Sequence, residues 1–111
     1  MSERLRKLND LLRDEVGKTL HEELENDEGV LLTVISATVS PTLEHATIKV
    51  SIFPTEQSKK VLEKIEKNIY RIQQTLNKRL TMRPVPKIRF EIDTTEERAH
   101  RIEEVLGKIK K

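Results

Sequence analysis

Apolar residues recur at three- and four-residue steps through the first 25 positions, at Leu5, Leu8, Leu12, Val16, Leu20 and Leu24. That spacing puts them on one stripe of a helix and predicts a helix from Glu3 to Glu25, with Ser2 as its N-cap. Gly17 inside this run costs up to about 1 kcal/mol relative to Ala, which implies close packing, a slight bend or simple tolerance. The acidic cluster Glu22 to Glu28 ends the helix, and Asn26 to Gly29 reads as a turn. From Val30 to Val39 the period changes to two: Ile35, Ala37 and Val39 alternate with Val34, Ser36 and Thr38, the mark of a strand. Ser40, Pro41 and Thr42 interrupt it. Alternation then resumes with Ala46, Ile48, Val50 and Ile52 on one face and Thr47, Lys49, Ser51 and Phe53 on the other. The short connection predicts an antiparallel hairpin with one face packed and one partly wet.

Pro54 stops the second strand, and Thr55 is placed to cap a helix. The stripe Leu62, Ile65, Ile69, Ile72, Leu76 and Leu80 is the longest periodic run in the chain. Arg83 and Pro84 enter a bend, and Pro86 holds Val85 extended. Ile88, Phe90 and Ile92 then alternate with Lys87, Arg89, Glu91 and Asp93 as a third strand. Thr94 and Glu97 have capping-box spacing for a last helix with Ala99, Ile102, Val105 or Leu106, and Ile109 on its apolar side. Gly107 is its stop, and a short Lys-rich end begins at about 108. The order is helix, strand, strand, long helix, strand, helix, which predicts an α+β domain: a three-stranded sheet with helices on one face.

One domain accounts for residues 1–111, since a chain of this length has room for one core. The apolar fraction is 35% and the charged fraction 36%, so the core must be built from Leu, Ile and Val. Phe53, Tyr70 and Phe90 are the only aromatic residues. That scarcity argues against a single-strand binder that stacks bases on several exposed rings. The absence of cysteine excludes disulfides, thiolate metal sites and thiol catalysis, and fits a reducing, cytoplasmic setting. No run approaches a membrane span and the N-terminus lacks an apolar signal core. The three glycines, at 17, 29 and 107, cannot form a phosphate-cradling loop. His21, His45 and His100 fall on separate elements without ligand spacing, and the paired carboxylates sit at helix ends, where helix solvation and dipole complementarity explain Glu96 and Glu97 without catalysis. No catalytic residue, metal site, cofactor, small-molecule substrate or membrane contact is expected.

Charge changes this picture most. The formal net charge is only +2, yet residues 1–53 hold 6 Lys/Arg against 10 Asp/Glu, whereas residues 54–111 hold 15 against 9. Between Lys67 and Arg89 lie Lys67, Arg71, Lys78, Arg79, Arg83, Lys87 and Arg89 without a single carboxylate. A cationic run of this kind on helix, bend and strand is either a solvated face or a surface for a polyanion. With so few rings, the fitting polyanion is a structured RNA read by backbone and shape. Tyr70 is the one aromatic in the run, and partial burial beside Ile69 and Ile72 is expected of it over base stacking. The alternative is a protein-interaction or dimerisation module that uses the first helix or an exposed sheet edge.

The segments TVISATVSPTLEHATIKVSIF (33–53) and LNKRLTMRPVPKIRFEIDTT (76–95) resemble bacterial ribosome-binding factor A. The matching features are Val39-Ser40 followed by Leu43, Ala46 and Val50-Ser51, then Arg83, Pro86, Phe90 and Asp93. The resemblance implies a KH-like domain of the bacterial (type II) topology, α-β-β-α(kink)α-β followed by a C-terminal helix. It implies a monomeric factor that associates with 16S rRNA in the immature small (30S) ribosomal subunit and assists its late maturation. In that family an Ala-x-Gly kink interrupts the long helix, in place of the Gly-x-x-Gly loop of other KH domains. By spacing, the kink falls at Asn68, Ile69 and Tyr70, where neither the alanine nor the glycine is present, and the basic residue that commonly follows it falls on Gln73. The family's long charged C-terminal tail is nearly missing. The expected RNA-binding set is Lys67, Asn68, Tyr70, Arg71, Lys78, Arg79, Arg83, Lys87 and Arg89. A break between about Glu66 and Arg71 is expected at Asn68, which tolerates capping conformations, although the uninterrupted apolar stripe by itself favours a continuous helix.

Overall fold

A computed structural model describes residues 3–24 and 28–94. Its elements in chain order are α1 (Glu3–Glu23), β1 (Leu31–Val39), β2 (His45–Phe53), a 3-10 turn (Thr55–Gln57), α2 (Ser58–Lys67), α3 (Ile69–Arg79) and β3 (Lys87–Ile92). The expected Ser2 cap, part of the turn after α1 and the C-terminal helix lie outside the described residues.

The sheet has the order β1-β2-β3. β1 and β2 pair antiparallel through the short loop, while β3 pairs parallel to β2, with His45 opposite Lys87 and Val50 opposite Ile92. A parallel partner needs a crossover of a dozen or more residues, and the α2–α3 pair supplies it. Alternation sends Ala46, Ile48, Val50 and Ile52 of β2 inward. They meet Leu12, Val16 and Leu20 of α1, Ile65 of α2, and Ile72 and Leu76 of α3 in one apolar cluster. Each of these branched side chains contributes about 1.5–3 kcal/mol on burial. The opposite sheet face carries Thr33, Thr38, Lys49, Lys87 and Arg89 and is exposed.

Three local expectations are corrected. In β1 the register slips between Val34 and Ser36, so Ile35 is the extra residue of a bulge. Val34, opposite Val50, is half-buried, and Ile35 turns outward, reversing the faces that simple alternation assigns them. Thr55 opens the 3-10 turn and does not cap α2, whose cap residue, Gln57, makes no side-chain capping bond. Finally, a Cβ added at Gly17 would meet nothing within 4 Å, so close packing is not the reason for that glycine. The buried Thr19 hydroxyl donates to the Glu15 carbonyl at 2.8 Å, which satisfies it within α1.

Helix side chains also tie off backbone groups of the strands. Asn9 Oδ1 accepts from the Val39 N–H at 2.9 Å. Gln73 does more: Nε2 donates to the Pro86 carbonyl at 3.1 Å and to Asn77 Oδ1 at 3.0 Å, while Oε1 accepts from the Ile88 N–H at 3.0 Å. The Gln73 carboxamide thus stands in for a peptide group beside the start of β3 and fixes α3 against it.

Candidate nucleic-acid interface

The long helix breaks at Asn68, which ends α2 and begins α3. Its φ of −106° and ψ of 12° lie in the sparsely populated bridge region. The break is held from both sides. The Asn68 N–H donates to the Ile65 carbonyl at 3.1 Å, its Nδ2 donates to the Lys64 carbonyl at 2.8 Å, and its carbonyl accepts from the Ile72 N–H at 2.9 Å. The Asn68 side-chain carboxamide therefore closes the break on the Lys64 carbonyl, with neither alanine nor glycine among residues 68–70. The expected break is found. The apolar stripe keeps its phase because Ile65 and Ile72 both remain fully buried on either side of the single turned residue.

Around this break Lys67, Tyr70 and Arg71 are exposed, and Gln74 and Lys78 continue the outer edge of α3. Tyr70 is 77% exposed, contrary to the expected partial burial, because its position falls one residue past half-buried Ile69 and two before buried Ile72. Lys67 and Lys78 have no ion pair among the described residues, and Arg71 only approaches Glu23 Oε2 at 3.9 Å. The free edge from Lys67 to Lys78 is about 16 Å long at 1.5 Å per residue.

The other expected cations are not part of that edge. Arg79 is turned toward α1: Nη2 donates to Glu22 Oε1 at 2.8 Å, and Nε lies 3.6 Å from Glu15 Oε2. Its side chain is only 24% exposed. Thr75 joins this clasp by donating to Glu23 Oε1 at 2.8 Å, so the acidic half of α1 neutralises one flank of α3. Arg83 is exposed, but its Nη1 donates to the carbonyls of Leu80 and Met82, both at 2.7 Å. Lys87 and Arg89 project from the open sheet face, away from the helices. There Arg89 donates from Nε to Thr47 Oγ1 at 3.2 Å and pairs with Glu91 at 3.3 Å. The single cationic run in sequence becomes four locations in space. Gln73, which orients α3, was not legible as a structural residue, because its partners Pro86 and Ile88 meet it only after the chain returns as β3.

No group of three His, Asp or Glu side chains among the described residues could hold a metal ion, and no described helix is long and apolar enough to cross a membrane. A helix followed by a β-hairpin, a kinked helix pair and a returning parallel strand is the KH-like architecture. The chain belongs to the ribosome-binding factor A family, whose model matches residues 4–106. It is 33% identical over 96 residues to ribosome-binding factor A of Mycoplasmopsis pulmonis, covering 86% of this chain and 84% of that one. It is 31% identical over 111 residues to that of Akkermansia muciniphila, covering 100% of this chain and 88% of the relative. Among solved structures, the crystal structure of ribosome-binding factor A from Thermus thermophilus superposes with a TM-score of 0.68 at 20% identity, covering 79% of this chain and 94% of that one. A Thermus thermophilus homology model fitted into a cryo-EM map of a 30S–RbfA complex superposes with a TM-score of 0.57 at 24% identity, over 76% of this chain and 93% of that one.

Proposed function

We propose that this protein is a non-enzymatic assembly factor that binds the immature small ribosomal subunit as a monomer and assists late maturation of its 16S rRNA. The observation that carries the reading is the break at Asn68, which leaves Lys67, Tyr70 and Arg71 exposed at one corner of a rigid scaffold. Lys67, Arg71 and Lys78 contact phosphates, and Tyr70 packs on a sugar or an unstacked base. Arg83, Lys87 and Arg89 act at most as peripheral contacts, and Arg79 serves the fold. Membership of a family named for ribosome binding supports the partner. The rival reading, a protein-interaction or dimerisation module using the first helix or an exposed sheet edge, has less support along the middle of α1, where Leu12, Val16 and Leu20 are spent in the protein's own core.

The test is co-sedimentation with immature and mature small subunits over a range of salt. Binding to immature particles that weakens steeply with salt is expected, and replacing Lys67 and Arg71 together by Ala should lower the salt slope by roughly 0.7–0.9 per lost phosphate contact. Equal binding to both particles, or a slope that the double substitution leaves unchanged, overturns the proposal.

A further inference from the structure

At the far end of α3 from the break, three elements enclose an open groove of about 640 Å³. The start of α1 contributes Leu5, Leu8 and Leu11, the β1–β2 loop Leu43, and the segment after α3 Leu80 and Met82. Pockets that enclose a drug-sized ligand span about 300–1,000 Å³, so the groove accommodates several aliphatic side chains. At its mouth Leu11 is 48% and Leu43 37% exposed.

Leu43 is there at a cost. Its φ is +62°, the left-handed region that a leucine enters at about 1–2 kcal/mol and that glycine or asparagine enters freely. The loop enforces this geometry: the Leu43 N–H donates to the Ser40 carbonyl at 2.9 Å, and the Ser40 N–H donates to the His45 carbonyl at 2.8 Å. Strain of this kind, kept where a turn residue would relieve it, marks a side chain that is being presented.

Among the described residues, the charged ones lining the groove are both cationic, Arg4 and Arg83, and neither has an acidic partner there. Arg83 is anchored by Nη1 on two carbonyls, which fixes the guanidinium and leaves its remaining N–H groups for a carboxylate. An aliphatic floor without an aromatic ring gives nucleic acid nothing to stack on, whereas it suits the apolar face of a helix laid into a groove.

We propose that this groove receives an acidic amphipathic helix of a partner protein, its leucine-type side chains on the aliphatic floor and its carboxylates on Arg4 and Arg83. The groove and the break lie at opposite ends of the 11-residue α3, about 16 Å apart, so the protein can hold RNA and a protein segment together.

The test is an NMR titration of the full chain with three synthetic peptides: a helical 14-mer with Leu at helical spacing and Glu on its flanks, the same peptide with Lys for Glu, and one with Ser for Leu. Amide shifts confined to residues 4–11, 40–44 and 80–83 with the Leu/Glu peptide, and at least tenfold weaker binding of the other two, are expected. Leu11→Asp, a half-exposed position, should abolish peptide binding while small-subunit co-sedimentation and thermal unfolding stay unchanged. No shifts with the Leu/Glu peptide, equal binding of the Glu and Lys versions, or shifts in this groove produced by an rRNA fragment instead, overturn the proposal. Loss of small-subunit binding with Lys67 and Arg71 replaced reads out the RNA surface separately.

Discussion

Arg79 gives the sharpest test of which cations serve the fold and which face a partner. Replacing Arg79 by Ala removes two guanidinium bonds to Glu22 Oε1, at 2.8 and 3.3 Å, and the 3.6 Å approach to Glu15. A charge-assisted hydrogen bond contributes about 1.5–3 kcal/mol when buried, but exposed pairs contribute about 0–1 kcal/mol. Glu22 is 53% exposed and Glu15 20%, so a loss of about 1–2 kcal/mol lies between these limits. For a domain of this size that lowers the melting temperature by about 5–10 °C. Arg79→Glu places a carboxylate between two others and should cost more than Arg79→Ala. The assay is thermal unfolding of Arg79→Ala, Glu22→Ala and the double variant, with small-subunit binding over a salt range in parallel. A coupling energy of about 1 kcal/mol in the cycle is expected, with the salt slope of binding unchanged. A melting temperature within about 2 °C of the parent, about a third of a kcal/mol for this size, together with a shallower slope, would show that Arg79 leaves α1 to contact phosphate and would refute the clasp.

Asn68→Leu removes the Nδ2 bond to Lys64 and favours a continuous helix; a several-fold loss of small-subunit binding with a stability change of about 1 kcal/mol is expected, read by co-sedimentation and urea unfolding. Gln73→Leu strands the Ile88 N–H and the Pro86 carbonyl and should cost about 1–3 kcal/mol, with faster amide exchange at Ile88 as the local readout. Gly17→Ala enters open space inside α1 and should raise stability by up to about 1 kcal/mol, seen as a higher urea midpoint with an unchanged m-value.

Local pattern determined a large part of this protein. The two periods, 3.6 and 2, located α1, β1, β2, the long helix and β3 to within a residue or two, because each element must bury one face and its own sequence records which. The cationic stretch was equally plain, since charge needs no fold to be counted. What the residues could not show was where charges and phases end up once distant segments meet. The bulge at Ile35 is set by pairing with β2, and only that pairing decides that Val34 points inward. The break at Asn68 leaves the apolar stripe in phase, so periodicity could not see it, and the family resemblance was needed to expect it. Arg79 reads as one more phosphate contact until α1, 57 residues away, brings Glu22 against it. Lys87 and Arg89 continue the basic run along the chain, yet strand alternation turns them to the sheet face opposite the helices. Periodicity is a property of neighbours along the chain; neutralisation, exposure and the division of one basic run into four places belong to contacts between segments, and these exist only in the folded structure.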